Sequence, residues 1–296
     1  MLEPPQIRPA KTYEEALERV AAMKSLDDAS ILPIANTTLL ERGKKVPLAV
    51  VLLHGFTNHP GQYREFAPQL FELGYNVLIP RLPEQGDRNR MTKRMAKLTA
   101  EGLLATSNEA IDIAQGLGER VCVLGISTSG LLCAYFGQYR DDVARSIPVS
   151  PVFAMLHMNM PVNALVSRTL LLLPNFFMWW DPRKREKELP HTGYPRFPTR
   201  AMARALQIGT LVEGAAKEEP LKGRSIVVVT NAKDPAVNND VTHRVVADWQ
   251  GRAPGRVEEF TFTTLPANHD IIDPENAVPR TDIVYPKLIE LIEKTP

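Results

Sequence analysis

VCVLGISTSG, residues 121–130, carries an apolar run of strand length into a glycine, places hydroxyl residues at three of the next four positions, and ends on a second glycine. A buried strand leading into a helix needs a turn here, but a turn alone does not call for Ser127, Thr128 and Ser129 together. Gly125-Ile126-Ser127-Thr128-Ser129 has the setting of a tight strand-to-helix turn with a serine at its apex. Such a turn needs small flanking residues, because a side chain there would strike the neighbouring strand and helix. It projects the hydroxyl over the strand's carboxyl end, where the first amides of a helix favour negative charge. Alone, the pentapeptide fits an ordinary turn as well.

The surrounding chain alternates strands and helices. LAVVLLHG (48–55) reads as a strand buried on both faces, followed by a helix over Tyr63–Leu73 that Gly74 stops. YNVLIP (75–80) is the next strand, and Ala110, Ile113, Ala114 and Leu117 mark one face of a helix over 103–117. Strand 121–125, a helix from Thr128 to Tyr139 and strand ARSIPVS (144–150) follow. After a long interruption come strand RSIVVVT (224–230), a helix near 239–249, strand VEEFTFTTL (257–265) and a helix near 281–294. Upstream, 13–25 reads as an amphipathic helix, and ILPIANTTLLERG (31–43) as one or two short edge strands. The pattern predicts an α/β fold with a mostly parallel sheet covered on both faces.

The interruption, 151–221, contains ALVSRTLLLLPNFFMWW (164–180) and then the polar DPRKREKELPHTGYPRFPTR (181–200). It reads as an insertion whose helices pack over the carboxyl edge of the sheet, and its aromatic residues must face either the sheet or a ligand. The apolar stretch is too short and too interrupted to span a bilayer. A net charge of +1 argues against a nucleic-acid or membrane-surface partner. The two cysteines, Cys122 and Cys133, fall in a strand and a helix, so a reducing, cytoplasmic setting is expected. The first two dozen residues show no apolar core of signal-peptide length.

A serine hydroxyl needs a base to become nucleophilic at neutral pH. Of six histidines (His54, His59, His157, His191, His243 and His269), only the last two can follow an acid in the order Ser, acid, His. His243 falls inside a helix, whereas His269 sits in the loop after the last strand, at the same edge as Ser127. The acid belongs in NAKDPAVNND (231–240), where Asp234 is favoured and Asp240 is expected to cap the following helix. HGFTNHPGQY (54–63) supplies the loop of an oxyanion site, with backbone amides of Phe56 and Thr128 as donors. The Phe56 ring is expected to wall the acyl pocket, and His54 to be structural.

Together, residues 48–87, VCVLGISTSG, VVVTNAKDPAVNN (227–239) and PANHD (266–270) resemble the α/β-hydrolase superfamily, in particular bacterial carboxylesterases and monoacylglycerol lipases. Ser129 stands where the usual motif has glycine, and RLPEQGD (81–87) replaces the family's proline-glycine-histidine-glycine loop. The resemblance implies an α/β-hydrolase core over 1–150 and 222–296, with an eight-stranded sheet and a small helical cap, 151–221, inserted after the sixth strand. It implies no cofactor or metal, and a catalytic set of Ser127, Asp234 and His269 with Phe56 and Thr128 at the oxyanion. The expected substrate is a small carboxylic ester with an apolar acyl or aromatic group, contacted by Phe56, Phe177 and Trp179. Thioesterase, amidase, acyltransferase and C–C hydrolase chemistry use the same set, and a non-catalytic binding module is the alternative of a different class. A haloalkane dehalogenase would need Asp in place of Ser127.

Overall fold

The most apolar runs of the chain form the middle of a sheet because both of their faces are covered. The computed structural model describes residues 2, 4–181, 193–276 and 278–296; His191 and the rest of 182–192 lie outside the described residues. The first half of the chain contains α1 (Tyr13–Lys24), β1 (Thr38–Leu40), β2 (Val46–Leu53), α2 (Phe66–Glu72), β3 (Asn76–Ile79) and α3 (Ala100–Leu117). It continues with β4 (Gly118–Ile126), α4 (Thr128–Tyr139) and β5 (Arg145–Val149). Next come α5 (Met160–Leu172), β6 (Phe177–Trp179), β7 (Arg196–Pro198) and α6 (Thr199–Glu218). The chain closes with β8 (Ile226–Asn231), α7 (Asn239–Arg252), β9 (Val257–Phe262) and α8 (Thr281–Glu293).

Among the described residues seven strands form one sheet, ordered β1-β3-β2-β4-β5-β8-β9. Neighbours run parallel except β1 and β3. Alternate residues of β2 enter different cores. Ala49, Val51 and Leu53 join the one beneath α1, α3, α4, α6 and α7, while Leu48, Val50 and Leu52 join the one beneath α2 and α8. That two-sided burial is why the strand shows no polar alternation.

The expected eighth strand is missing among the described residues. Ile31 keeps a single bridge to Asp87, but Pro33 then starts a 3₁₀ turn, Pro33–Ala35, closed by Ala35 N–H on the Leu32 carbonyl at 2.8 Å. Proline has no N–H for a ladder and its fixed φ suits the turn, so only Thr38–Leu40 pairs as an edge strand. The chain therefore leaves the sheet after the fifth strand, β5, rather than after a sixth. The expected helix over Tyr63–Leu73 starts three residues later, at Phe66. A 3₁₀ turn at Pro60–Tyr63 precedes α2, and Gly74, at φ +92°, ends it as expected.

Between β5 and β8, α5 lies on α6, and α6 packs on α4 and α7. β6 and β7 form a separate antiparallel pair. Among the described residues no helix is long and apolar enough to cross a membrane.

One ionic cluster ties α3 to the end of α4. Arg140 is fully buried, donating to Asp112 Oδ1 at 2.7 Å, Asn108 Oδ1 at 2.7 Å, and Asp142 Oδ2 at 2.6 Å. Removing the guanidinium takes the nearest cation from the buried Asp112 carboxylate and leaves Arg19, at 3.9 Å, as its remaining ion-pair partner among the described residues. Arg140→Met is therefore expected to lose about 3–5 kcal/mol of unfolding free energy, measured by urea denaturation.

Candidate active site

The turn between β4 and α4 is strained as its sequence requires. Ser127 has φ 62° and ψ −118°, a region that non-glycine residues rarely enter. It is over-determined by its neighbours: its N–H donates to the Val149 carbonyl at 2.9 Å, and its carbonyl accepts from Leu131 N–H at 3.3 Å. A Cβ at Gly125 would lie 2.6 Å from the Ser129 carbonyl oxygen, and one at Gly130 would lie 2.9 Å from Pro151 Cα. The two positions that must lack a side chain are thus 125 and 130. Position 129 accepts a serine, which is fully buried and donates its hydroxyl to the His54 carbonyl.

His269 and Asp234 converge on this turn from the ends of β9 and β8. His269 Nε2 is 2.8 Å from Ser127 Oγ, and its Nδ1 is 2.8 Å from Asp234 Oδ2. The carboxylate accepts the Nδ1 proton, which leaves Nε2 to accept the serine proton. Asp234 Oδ1 also accepts from Ala236 N–H at 2.8 Å, so the carboxylate is held from two sides. Asn231 Nδ2 donates to the carbonyls of Pro266 and Asn268 and anchors the loop that carries the imidazole. The other candidates lie apart. Asp240 is exposed in the first turn of α7, and the helix cap is Asn238, whose side chain takes the Asp240 amide, rather than Asp240 itself. His243 pairs with Glu259 at 2.6 Å on the exposed side of β9.

Among the described residues, the backbone amides of Phe56 and Thr128 donate to no other protein group. The loop carrying Phe56 is fixed at several points. Gly55 N–H donates to Gln62 Oε1 at 2.8 Å, and the Gly55 carbonyl accepts from Asn58 N–H at 3.1 Å. His54 is completely buried, donating from Nδ1 to the Gly55 carbonyl at 3.1 Å and accepting Leu82 N–H at Nε2 at 3.0 Å. Burial pushes its pKa down to about 3. His59, whose Nδ1 caps the 3₁₀ turn by accepting Gly61 N–H, is pushed down to about 4, again by burial.

A cavity of about 310 Å³ opens over Ser127 and His269. Part of its lining is apolar, with Phe56, Val152, Met155, Trp180 and Met202, and part is polar, with Asn58, Gln62, Asp270 and Asp273. Burial raises the pKa of Asp270, and the neighbouring Asp273 raises it further. Phe177 and Trp179, expected as substrate contacts, lie outside this lining. Phe177 instead faces the Arg196 guanidinium at 4.6 Å. Trp180 takes the expected place, its ring 4.3 Å from that of Phe197 and its Nε1 donating to Thr57 Oγ1 at 2.9 Å. Successive residues of an extended chain face opposite ways, so the adjacent tryptophans cannot both line the cavity. The sequence contained the pair but not the choice between its members. Trp180 and the polar wall of Asn58, Gln62, Asp270 and Asp273 carried no motif.

A sheet of this order, with a hydroxyl, an imidazole and a carboxylate aligned at its carboxyl edge, defines a class of hydrolase-like α/β proteins. Comparison with known proteins gives the family. Residues 50–278 match the model of the alpha/beta hydrolase family, and the chain belongs to it. A thermostable monoacylglycerol lipase of Bacillus sp. (strain H-257) is 28% identical over 104 residues, a match spanning 35% of this chain and 40% of that lipase. Among solved structures, a metagenome-derived lipolytic enzyme of the LipS and LipT pair aligns with a TM-score of 0.67 at 18% identity, covering 89% of this chain and 99% of the other. The monoacylglycerol lipase of Paleococcus ferrophilus aligns with a TM-score of 0.65 at 16% identity, covering 88% and 98%.

The two buried histidines make stability depend on pH. Folded, they stay neutral until about pH 4 and 3, whereas in the unfolded chain they take a proton near 6.5. Between those values the unfolded state binds more protons, so acidification favours unfolding. Unfolding free energy should fall by up to about 1.4 kcal/mol per pH unit for each histidine as pH drops through this window. His59→Asn, whose side-chain oxygen can take the Gly61 amide, should remove about half of that slope in denaturant titrations.

Proposed function

We propose that this protein is a serine hydrolase of carboxylic esters acting through an acyl-enzyme on Ser127. The observation that carries the reading is the pair of 2.8 Å contacts linking Ser127 Oγ to His269 and His269 to Asp234. His269 Nε2 takes the hydroxyl proton as Oγ attacks the ester carbonyl. Charge developing on the carbonyl oxygen is met by the amides of Phe56 and Thr128, which have no other partner to give up among the described residues. His269 then returns the proton to the departing alkoxide. Water, deprotonated by the same imidazole, attacks the acyl-enzyme; the acyl–Oγ bond breaks, the imidazolium returns the proton to Ser127 Oγ, and the acid is freed. Asp234 holds the ring in the required tautomer and stabilises it when charged.

The apolar wall favours esters with an apolar acyl or aromatic group, in keeping with the lipase relatives. Segment 151–221 is the cap of this reading, inserted in a core formed by 1–150 and 222–296, and supplies Trp180 and Met202 to the cavity. The two free, buried cysteines fit a reducing, cytoplasmic setting.

A fluorophosphonate should add once to the intact chain, persist in Ser129→Ala and disappear in Ser127→Ala; an adduct mapped to Ser129 would sink the assignment. Asp234→Asn should lower turnover by about 10⁴-fold, and Asp240→Asn should leave it nearly unchanged. His269→Ala should lower turnover by orders of magnitude, and His243→Ala should leave it nearly unchanged. With p-nitrophenyl esters of graded length, each bound methylene is worth about 0.8 kcal/mol, or about fourfold in kcat/KM. Trp180→Ala should flatten that series while Trp179→Ala and Phe177→Ala leave it in place. The reverse ranking would move the acyl site away from this cavity.

A further inference from the structure

The backbone at Gly55, beside Phe56, and the loop that carries His269 are joined through one side chain from the end of the 54–63 segment. Gln62, from the Pro60–Tyr63 turn, is 1% exposed and uses both ends of its amide. Its Oε1 accepts Gly55 N–H at 2.8 Å, and its Nε2 donates to Asp270 Oδ2 at 2.6 Å. Asp270 directly follows His269 in the chain, and its other oxygen accepts Ile272 N–H at 3.1 Å and Asp273 N–H at 3.0 Å. The orientation of the amide is dictated by these partners. Reversed, its NH₂ would face an N–H and its oxygen would face a carboxylate. The carboxylate meets only donors here, which is the arrangement an ionised group requires.

We propose that Gln62 and Asp270 form a strut that sets the separation between the Phe56 amide and the His269 imidazole, making Gln62 a positioning residue. The inference rests on the ester-hydrolase reading above. The peptide unit bearing the Phe56 N–H is held at its carbonyl by His54 and Asn58. Its orientation is completed one residue upstream, where Gln62 holds the Gly55 amide. Among the described residues no other polar group of the base loop reaches that amide. A further polar link between the two loops, Asn58 Nδ2 on Asp273 Oδ2 at 3.3 Å, remains, so loss of the strut loosens the spacing of donor and base. A displacement of about 1 Å between catalytic groups can cost about 100-fold in rate.

The polarity of the strut supplies its test. Asp270→Asn alone sets NH₂ against NH₂. Gln62→Glu alone sets two carboxyl groups in contact, which must share a proton. The double variant Gln62→Glu/Asp270→Asn reverses the polarity. The carboxylate introduced at position 62 accepts from both the Gly55 amide and the NH₂ introduced at position 270. The side-chain oxygen kept at position 270 still accepts the Ile272 and Asp273 amides. Net charge is unchanged. On p-nitrophenyl acetate, each single variant should lose about 10- to 100-fold in kcat at neutral pH with KM changed less than about threefold, and the double variant should return to within about threefold of wild type. Gln62→Glu should also gain an alkaline limb absent from wild type, where the shared proton leaves. The other titratable groups facing Asp270 are His269 and Asp273 of its own loop, Tyr63 of the 3₁₀ turn and Tyr285 of α8, with Arg64 behind Asp273. The two phenols are committed elsewhere, donating to the Leu53 and Ile272 carbonyls. A double variant that fails to fold, or that folds yet stays as slow as the worse single variant, overturns the strut. So do single variants with wild-type kcat and pH profile. A wild-type chain inactive on every ester overturns the hydrolase reading itself, an outcome separate from failed rescue in an active enzyme.

Discussion

The site depends on holding Ser127 at φ 62°, a conformation costing about 1–3 kcal/mol for a residue with a side chain. The turn persists because its alternatives are blocked and its polar groups are used. Val149 takes the serine amide, Leu131 donates to the serine carbonyl, and Gly125 and Gly130 leave room that no Cβ could share. The strained geometry has a chemical effect. It places Oγ beyond the end of β4, within 2.8 Å of an imidazole brought from a strand three places away in the sheet. Ser129 extends the constraint by bonding to the His54 carbonyl, so the turn and the loop bearing Phe56 are placed by one helix start.

Around that turn, the fold sorts polar groups by how fully they are satisfied. His54 is buried because both ring nitrogens have backbone partners in its neutral form. Asp234 is buried because two backbone amides and an imidazole surround it. The amides of Phe56 and Thr128 are the contrast: donors without acceptors among the described residues, beside the serine. Unmet donors fixed in advance are what stabilise negative charge as it develops, since little reorganisation is needed when it appears. The cavity continues this division, with an apolar lining from Phe56, Val152, Met155, Trp180 and Met202 and a polar lining from the loops at 58–62 and 270–273.

Much of the architecture was legible in the residues. Continuous apolar runs marked β2, β4 and β8 because burial on both faces removes polar alternation. Gly74 and Thr128 marked a helix end and a helix start through local backbone sterics. Ser127, His269 and Asp234 could be placed because each follows a strand whose carboxyl end faces the same edge. Less legible were elements that local preference leaves balanced. The stretch around Ile31 has strand-like composition, yet Pro33 turns it into a 3₁₀ helix. The helix expected from Tyr63 starts only at Phe66, because a 3₁₀ turn at Pro60–Tyr63 precedes it and leaves Gln62 facing the cavity.

The sequence by itself determined the order of strands and helices, the turn that presents Ser127, and the two loops from which an imidazole and a carboxylate reach it. These follow from short-range causes: side-chain periodicity, the steric limits of φ, and the residues tolerated beside a tight turn. Only the tertiary structure decided that the sheet has seven strands, that Trp180 rather than Trp179 lines the cavity, and that Gln62 meets Asp270 across 208 residues of chain. Those outcomes depend on strand register and on how distant loops pack. The free energy separating one register or facing from another lies in contacts between residues far apart in sequence, where no local pattern records it.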